Sequence, residues 1–324
     1  MHSLSAFSLL KCYYFSMSEH IPVLLNEAID NLNIKPDGIY VDATLGGGGH
    51  SSAILSKLSN KGHLYSFDID DYSIERAKEK LSAVGKSNFT IIKSNFSLMK
   101  EKLNEMGIEG VDGILYDLGV SSFDFDIAEK GFSYNHDGKL DMRMDSTIKI
   151  SAWDVVNKYS ENEISKIIYI YGDEKFSREI ARKIVEARNK KAIDTTFELV
   201  DVIKSALPKK ELIKKGHPAK KTFQALRVYV NDELENLRKS LESAISLLNK
   251  DGRLVVIDFQ PEEDKIVKNV FKKNYTTVNI KGLPVNPEDP ILIRITKKPI
   301  IPSDDELKDN NRAHSAMMRV VQKA

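Results

Sequence analysis

Four consecutive glycines, Gly46 to Gly49, constrain the fold of this chain more than any other feature of its sequence. They follow a short apolar run, Ile39–Ala43, and precede a stretch that is typical of a helix. Because glycine has no Cβ, its backbone turns tightly and lies directly against a ligand. A second apolar run, Leu64–Phe67, is followed by Asp68, twenty-two residues after Gly46. An acidic residue about 20 residues after a glycine turn binds the ribose of nucleoside cofactors, so the spacing predicts such a site.

The residues around the glycines distinguish between two nucleoside cofactors. The dinucleotide fingerprint Gly-x-Gly-x-x-Gly is matched by Gly46 and Gly48, but Ser51 stands at the third glycine position. Asp42 ends the first predicted strand, and its negative charge would repel an anionic pyrophosphate. S-adenosylmethionine carries a positive sulfonium and an ammonium group, which acidic neighbours favour. The sequence therefore predicts S-adenosylmethionine as the cofactor, with an NAD-dependent oxidoreductase as the alternative.

The composition excludes several classes of protein. The 324 residues include 48 Lys and Arg against 47 Asp and Glu, so any affinity for nucleic acid must come from a local patch. No apolar run approaches the roughly 18 residues that cross a bilayer. The single cysteine, Cys12, excludes an internal disulfide and a multi-cysteine zinc site, and no metal site is predicted. These features predict a cytoplasmic protein that does not associate with membranes.

The first sixteen residues differ in character from the rest of the chain. Lys11 interrupts their apolar stretch, and they have neither a basic start nor a small-residue cleavage site. An organised pattern begins only after Met17. We interpret residues 1–16 as a leader, either a misread start or a loose tail, and favour the misread start. Cys12 would then lie outside the folded protein.

From Ile39 onward, apolar runs alternate with helical periodicity, which predicts an α/β fold with a mostly parallel sheet. The predicted strands are Ile39–Ala43, His63–Phe67, Phe89–Ile92, Val111–Tyr116, Arg253–Phe259, Thr276–Ile280 and Ile291–Thr296. The predicted helices are Ser51–Leu58, Ser73–Ala83, Ser97–Met106 and a long core helix over Phe223–Leu248.

The alternation stops for about a hundred residues in the middle of the chain. We predict one α/β domain formed by residues 17–122 and 222–324, with an inserted, mostly helical domain over residues 123–221. From Arg178 to Arg227 the chain has fourteen Lys and Arg against six Asp and Glu. This excess predicts a surface that binds RNA phosphates. Solvated helix faces, whose lysines serve solubility, are the alternative.

A further apolar run, Val111–Asp117, also ends in a carboxylate. In open α/β sheets, ligands bind beyond the carboxyl ends of the strands. Asp42, Asp68 and Asp117 all end predicted strands, so we expect them along one edge of the sheet. Phe96, just past the third strand, would lie either against an adenine ring or in the core.

Six stretches carry a resemblance to a known family: His20–Glu27, Asp42–Ser51, Asp112–Ser122, Gly131–Ser133, Leu140–Asp145 and Thr222–Leu234. They resemble the bacterial ribosomal RNA small subunit methyltransferase H family, and the similarity spans essentially Glu19–Arg319. The resemblance implies a class I S-adenosylmethionine-dependent methyltransferase fold, Rossmann-like, with a helical insertion that helps to bind RNA. It implies methylation of the N4 amine of a cytidine in the decoding region of 16S rRNA, within a small-subunit particle. A homodimer is left open.

The resemblance also implies the residues of the cofactor site. The contacts carried over are Gly48, Gly49, His50, Asp68, Phe96, Asp117 and Asp124. The family has glutamine at the position of Asp124.

The chain departs from the family pattern after its fifth strand. The family typically has Ser-Phe-His-Ser-Leu-Glu-Asp-Arg where this chain has Asp258–Lys265. The usual histidine and serine are replaced, by Gln260 and Pro261, while Glu263 and Asp264 remain. The alternative function is therefore a divergent paralogue that binds rRNA or an assembly intermediate with altered or lost catalysis.

An exocyclic cytosine amine is a poor nucleophile, because its lone pair is delocalised into the ring. Acceptors for its N–H bonds would position it for transfer. We expect Asp117 and the backbone carbonyls of Leu118 and Gly119 to be these acceptors; alternatively, Asp117 serves the cofactor alone. Methylation at C5 normally needs a cysteine, and only Cys12 is present, which favours transfer to a heteroatom. The aromatic residues that would stack on the base, or else belong to the core, are Phe132, Tyr134 and Trp153.

Overall fold

The alternating elements of the sequence form one large sheet. The structure is a computed structural model that describes residues 22–119, 128–145, 147–275 and 291–324. Its strands are β1 (Ile39–Asp42), β2 (His63–Asp68), β3 (Phe89–Lys93), β4 (Val111–Asp117), β5 (Leu248–Asp258), β6 (Leu292–Arg294) and β7 (Met317–Lys323). The leader with Cys12, the cofactor contact Asp124 and the strand predicted over Thr276–Ile280 lie outside the described residues.

Helices connect the strands and form the middle of the chain. The helices around the sheet are α1 (Leu25–Leu32), α2 (Gly49–Lys57), α3 (Asp71–Ser82), α4 (Met99–Glu105), α11 (Glu233–Leu247), α12 (Pro261–Tyr275) and α13 (Asp304–Asp309). The middle helices are α5 (Ala152–Lys158), α6 (Glu161–Gly172), α7 (Ser177–Arg188), α8 (Thr196–Ala206), α9 (Lys209–Leu212) and α10 (Lys220–Val230). No helix within the described ranges is long and apolar enough to cross a membrane.

In the described part of the chain, the sheet has the strand order β3-β2-β1-β4-β5-β7-β6. Strands β1 to β5 run parallel, and β7 is antiparallel to both of its neighbours. The mostly parallel α/β sheet predicted from the sequence is thus confirmed. The chain order reverses between β1 and β4, and ligands of open sheets bind at the carboxyl ends of strands at such a point.

Both faces of the sheet are covered by apolar cores. Along β1, Val41 faces the core that contains α11 and α12, whereas Tyr40 faces the core that contains α1 and α2. Along β4, Tyr116 faces the first of these cores and Leu115 faces the second. This alternation explains the continuous apolar runs, because a strand that is covered on both faces needs apolar residues at every position.

The middle helices have a core of their own. It includes Ile164 and Ile168 of α6 and Ile180 and Ile184 of α7. Helix α10 belongs to the same core through Phe223, Leu226 and Val230. The domain boundaries given from the sequence stay a prediction, but the packing joins α10 to the helices that precede it.

The single helix predicted over Phe223–Leu248 is wrong, because the chain forms α10 and α11 with a break between them. Asn231 caps the first helix, and Asp232 has a left-handed backbone with φ 49°. Asn and Asp tolerate this conformation better than other side chains do. The sequence does not show the break, because the helical spacing of apolar residues that predicted one long helix continues across Asn231 and Asp232. Strand β7 was missed as well, and the strand predicted over Ile291–Thr296 is shorter, Leu292–Arg294.

The break is held by the side chain of Asn231, which is buried. Its Oδ1 accepts from the backbone N of Met144 at 2.8 Å, and its Nδ2 donates to the carbonyl oxygens of Met142 and Arg227, both at 2.8 Å. Asn231 thus fixes the segment before α5 to the junction of α10 and α11.

Replacing Asn231 by alanine should destabilise the fold. The change leaves one backbone N–H and two carbonyls of a buried region without this partner, which costs about 2–3 kcal/mol. Urea unfolding followed by circular dichroism measures the loss. The matched control is Asn31→Ala, since Asn31 makes one local hydrogen bond, to Glu27, and its loss should stay within about 0.5 kcal/mol. Equal midpoints for Asn231→Ala and the native chain would contradict this role.

Candidate active site

A pocket of about 860 Å³ opens at the carboxyl ends of β1, β2 and β4. Small-molecule sites measure roughly 300–1,000 Å³, so the size fits a nucleoside cofactor together with part of a second substrate. One part of the lining carries predicted site residues: Gly49, His50, Asp68, Phe96 and Asp117. The other part carries Gln260, one of the departures from the family pattern after the fifth strand, and five residues that were not predicted: Lys220, Arg227, Asn231, Glu233 and Arg312.

The glycine loop has the backbone that its sequence predicts. Gly46 and Gly48 have positive φ, 47° and 74°. A Cβ on Gly49 would overlap the ring of Pro22, so this position admits no side chain without a shift of the chain. Gly46 and Gly49 line the pocket, whereas Gly48 is not among the described residues that line it. A Cβ on Gly48 would lie 3.1 Å from Ala77 of α3, and we infer that Gly48 serves the packing of the loop.

Asp42 does not face the pocket, although it ends β1 beside the loop. It is fully buried, and burial raises the pKa of its carboxyl. Its Oδ2 accepts from Ser51 Oγ at 2.7 Å, and its Oδ1 accepts from the backbone N of Thr44 at 3.1 Å. Ser51 Oγ also lies 2.8 Å from Ser66 Oγ of β2. The serine at the third glycine position therefore ties α2 to two strands. Asp42 ends β1 at the edge of the sheet, but its carboxylate is hydrogen-bonded within the protein.

Asp68 orders the loop from the end of β2. Its Oδ2 accepts from the backbone N of Gly46 at 2.8 Å, and its Oδ1 accepts from the backbone N of Asp70 at 2.9 Å. Burial raises the pKa of the Asp68 carboxyl to about 6, while these hydrogen bonds oppose the rise. The carboxylate is therefore mostly ionised at neutral pH and is placed to accept from ribose hydroxyls.

Phe96 lies between the pocket and the core, a position compatible with both roles considered for it. It lines the pocket and is only partly buried, as a ring lying against an adenine would be. Its ring also packs edge-on against Tyr116, with the centroids 5.8 Å apart. The carbonyl oxygen of Phe96 accepts from Ser240 Oγ at 2.9 Å, which fixes this turn to α11.

His50 and Asp117 lie next to each other at the switch point. His50 Nε2 is 3.1 Å from the carbonyl oxygen of Val23, and because a carbonyl only accepts, Nε2 carries a proton. The other ring nitrogen, Nδ1, faces Asp117 Oδ2 at 3.5 Å. The backbone N of Asp117 donates to Thr44 Oγ1 at 2.7 Å. Thr44 thus fixes the backbone of Asp117, and the carboxyl of Asp117 lies beside the ring of His50.

Asp117 has an unsatisfied acceptor at the pocket. Its Oδ1 is buried and has no hydrogen-bond partner among the described residues. Burial raises the pKa of the Asp117 carboxyl to about 8; the negative charge of Asp42 adds to the rise, and Arg312 opposes it. The Oδ1 atom, without a hydrogen-bond partner among the described residues, suits a ligand that brings a positive charge or an N–H donor.

The unpredicted part of the lining comes from the α10–α11 junction. Arg227 donates to both carboxylate oxygens of Glu233, from Nε at 2.8 Å and from Nη2 at 3.0 Å. Both side chains are largely buried. The sequence signal that could have found this region is the pair Asn231 and Asp232, which is typical of a turn inside a helical stripe.

The end of β5 contributes a second group of acids. Asp258 is fully buried, and neither of its carboxylate oxygens has a partner among the described residues. Burial raises its pKa to about 8, with Asp264 and Glu263 adding to the rise. The Glu263 carboxyl, whose pKa burial raises to about 7, accepts from the backbone N of Phe259 and Gln260. Of the residues that depart from the family pattern here, Gln260 reaches the pocket.

The three aromatic candidates for base stacking are not among the described residues that line the pocket. Phe132 is buried in the helical core. Tyr134 stacks on His217 with ring centroids 4.5 Å apart, and Trp153 Nε1 donates to Asp194 at 2.9 Å. Within the described residues there is also no cluster of His, Cys, Asp and Glu that could hold a metal ion.

The mostly parallel sheet with its switch point, the glycine loop and the carboxylate of Asp68 define a class I S-adenosylmethionine-dependent methyltransferase. The buried acceptor Asp117 Oδ1 and the size of the pocket fit the cationic cofactor. The chain belongs to the MraW methylase family, whose model matches residues 17–324. Membership of a methylase family confirms the resemblance and the predicted cofactor, and rules against the NAD-dependent oxidoreductase.

The chain is also similar to individual proteins. The chain is 53% identical over 307 residues to the ribosomal RNA small subunit methyltransferase H of Streptococcus dysgalactiae subsp. equisimilis, covering 94% of this chain and 97% of that protein. It is also similar to the crystal structure of a rRNA methylase from Streptococcus thermophilus, at 12% identity and a TM-score of 0.42, covering 95% of this chain and 99% of the other. A putative methyltransferase from Streptococcus mutans, solved in complex with SAH, gives 12% identity and a TM-score of 0.44, covering 94% and 100%.

Replacing Asp68 by asparagine should weaken cofactor binding. Asparagine keeps the shape but loses the charge and one acceptor, so the hydrogen bonds to the loop and to a ribose become weaker. We expect the Kd for S-adenosylmethionine to rise about ten- to hundredfold in calorimetric titration. Asp71→Asn is the control, because Asp71 is exposed and pairs with Lys93 away from the loop. A Kd unchanged in Asp68→Asn would show that Asp68 does not hold the cofactor.

The charge of Asp117 should make binding of the cationic cofactor depend on pH. Because its folded pKa is raised to about 8, Asp117 is neutral below that pH and becomes an anion above it. Between pH 7 and pH 9 the affinity for S-adenosylmethionine should therefore rise up to about tenfold more than that for S-adenosylhomocysteine, whose sulfur is uncharged. Titrations of both ligands at several pH values measure the difference.

The variant Asp117→Asn provides the control for this pH dependence, because asparagine cannot ionise. The two ligands should then respond to pH alike. If the native chain already binds both ligands with the same pH profile, Asp117 does not face the sulfonium.

Proposed function

We propose that the protein methylates the N4 amine of a cytidine in 16S rRNA, with S-adenosylmethionine as methyl donor. The observation that carries the proposal is Asp117 Oδ1, a buried acceptor without a partner among the described residues, at the end of β4 where the pocket opens. The exocyclic amine of cytosine is a poor nucleophile with N–H groups to donate. An acceptor at the position of Asp117 Oδ1 can receive one of these hydrogen bonds. The single cysteine of the chain, Cys12, argues against attack at carbon 5.

In the proposed reaction, residues at the end of β4 orient the cytosine amine and accept its proton. The cofactor supplies an electrophilic methyl group on a sulfonium. Asp117 accepts one N–H of the cytosine amine, with the carbonyls of Leu118 and Gly119 as the further acceptors, and this orients the nitrogen for transfer. As the N–C bond forms and the C–S bond breaks, the nitrogen loses a proton, which Asp117 takes. The carboxyl, whose pKa is about 8 without a ligand, becomes a base near neutral pH when a cation bound beside it lowers that pKa.

A basic surface on the helical part supports RNA as the substrate. Between Lys204 and Lys221 the chain has seven lysines and a single acid, Glu211. Lys214 pairs with Glu211, and Lys221 lies 3.8 Å from Asp173. The other lysines of this stretch make no ion pair with a described residue. Such a surface binds phosphates through release of counterions.

The name of the S. dysgalactiae relative supports the small-subunit RNA as the target. The resemblance adds a finer proposal, a cytidine of the decoding region within an assembled small-subunit particle. A cytoplasmic location follows from such a substrate. The resemblance leaves homodimer formation open.

Mass spectrometry of 16S rRNA nucleosides from a strain without this gene tests the proposal. We expect the loss of one N4-methylated cytidine, and its return when the native chain is supplied. Purified protein should restore the methyl group on small-subunit particles from the deletion strain, and should leave large-subunit particles unmodified.

An Asp117→Asn variant separates catalysis from binding in the same assay. It should bind S-adenosylhomocysteine normally and transfer the methyl group at least about a hundredfold more slowly. Unchanged N4-methylcytidine in the deletion strain would refute the proposal. Binding to the particle without transfer by the native chain would favour the divergent paralogue that the altered Asp258–Lys265 stretch raises.

A further inference from the structure

Gln260 stands where the strand that neighbours β4 reaches the pocket. It follows β5 directly, and the ends of β4 and β5 are joined by the backbone N of Leu118, which donates to the carbonyl of Ile257 at 2.9 Å. The ring of Phe259 packs on the backbone of Gly119, since a Cβ there would lie 3.6 Å from it. Gln260 therefore lines the pocket beside the two residues whose carbonyls are proposed to hold the amine.

Three hydrogen bonds fix Gln260 in one orientation. Its backbone N donates to Glu263 Oε2 at 3.1 Å, and its carbonyl oxygen accepts from the backbone N of Asp264 at 3.0 Å. Its side-chain Oε1 accepts from Gln224 Nε2 of α10 at 2.7 Å. Only 8% of the residue is exposed. The amino group, Nε2, has no hydrogen-bond partner among the described residues.

Two other polar side chains that line the pocket, Asn231 and Arg227, already form hydrogen bonds within the protein. Asn231, the other buried amide of the pocket in the described ranges, uses both N–H groups and its oxygen within the protein. The guanidinium of Arg227 is held in a two-point contact by Glu233. Gln260 is thus the buried amide that keeps donors for a ligand.

Cytosine has a hydrogen-bond acceptor next to its amine, which the amino group of Gln260 could recognise. N4 carries the N–H groups that Asp117 is proposed to accept, and the adjacent ring atom, N3, is a hydrogen-bond acceptor. Uracil presents an N–H at the same ring position, which would meet the amino group of Gln260 donor against donor. A rigid donor at this position therefore both orients the amine and rejects uridine.

We infer that Gln260 Nε2 donates to N3 of the target cytosine, and that Gln224 positions Gln260 for this contact. The inference rests on the proposed function and deepens it by assigning a residue that recognises the base. The hydrogen bond from Gln224 of α10 to Gln260 would then serve to orient the residue that recognises the base.

A chemical double-mutant cycle tests the contact. Small-subunit particles are prepared with either cytidine or 3-deazacytidine at the target, which replaces the acceptor N3 by C–H. The native chain and Gln260→Leu are compared on both by single-turnover methyl transfer. We expect the native chain to lose about ten- to hundredfold in kcat/KM on 3-deazacytidine beyond what Gln260→Leu loses on the same change.

The cycle removes the main complication of the analogue. Because 3-deazacytidine also changes the intrinsic reactivity of the amine, that effect is present for both enzymes and cancels in the comparison. Gln260→Leu should bind S-adenosylmethionine with the native Kd, which shows that the variant is folded and that Gln260 serves the base. Gln322→Leu is the matched control, since Gln322 of β7 interacts with Asp251 and Arg253 outside the pocket and should behave as the native chain.

A second variant keeps the size of the side chain. Gln260→Glu still accepts from Gln224 but turns an acceptor towards N3, so it should be slower on cytidine than Gln260→Leu. Equal losses on 3-deazacytidine for the native chain and Gln260→Leu would overturn the inference. A native chain that transfers no methyl group to N4 of cytidine would instead overturn the proposed function, and the inference with it.

Discussion

The site depends on one buried hydrogen bond, from Ser51 Oγ to Asp42 Oδ2 at 2.7 Å. It joins the first turn of α2 to the end of β1, and Ser66 of β2 extends it to a second strand. With the helix start fixed there, the glycines before it must cross the end of the sheet in a tight turn. A buried acceptor such as Asp42 is costly unless it is hydrogen-bonded, so the pair also specifies where α2 begins. The loop is thus fixed on the side that faces the sheet, and its other side lines the pocket.

A second constraint joins the helical part to the sheet. The break at Asn231 turns α11 away from α10, so that α10 packs with the helical core while α11 packs on the sheet. The pocket receives side chains from both helices because the break lies at its edge. The contact of Gln224 with Gln260 crosses the same boundary. RNA bound by the lysines of the helical part would therefore be held by the same body that orients Gln260.

Sequence reasoning located the cofactor side of the pocket because that side follows from local rules. A glycine turn after a buried strand and Asp68 at the end of the next one have fixed spacings. It missed the other side for two physical reasons. The apolar stripe is unchanged across Asn231 and Asp232, so periodicity cannot reveal the break. Arg312 reaches the pocket only through the position of the segment before β7, which depends on the long-range strand order of the sheet. The sequence also did not show that the carboxylate of Asp42 is buried and hydrogen-bonded within the protein.

The carboxyls at the sheet edge have different environments, and this difference divides the work among them. Asp68, with two backbone N–H donors, has a pKa of about 6 and is mostly charged at neutral pH. Asp117, with an oxygen that has no hydrogen-bond partner among the described residues, has a pKa of about 8. Environments that separate the pKa values of neighbouring acids separate their roles. The first is suited to steady binding, whereas the second is suited to gaining and losing a proton. A cation bound beside Asp117 would lower its pKa and create the base where the amine must lose its proton.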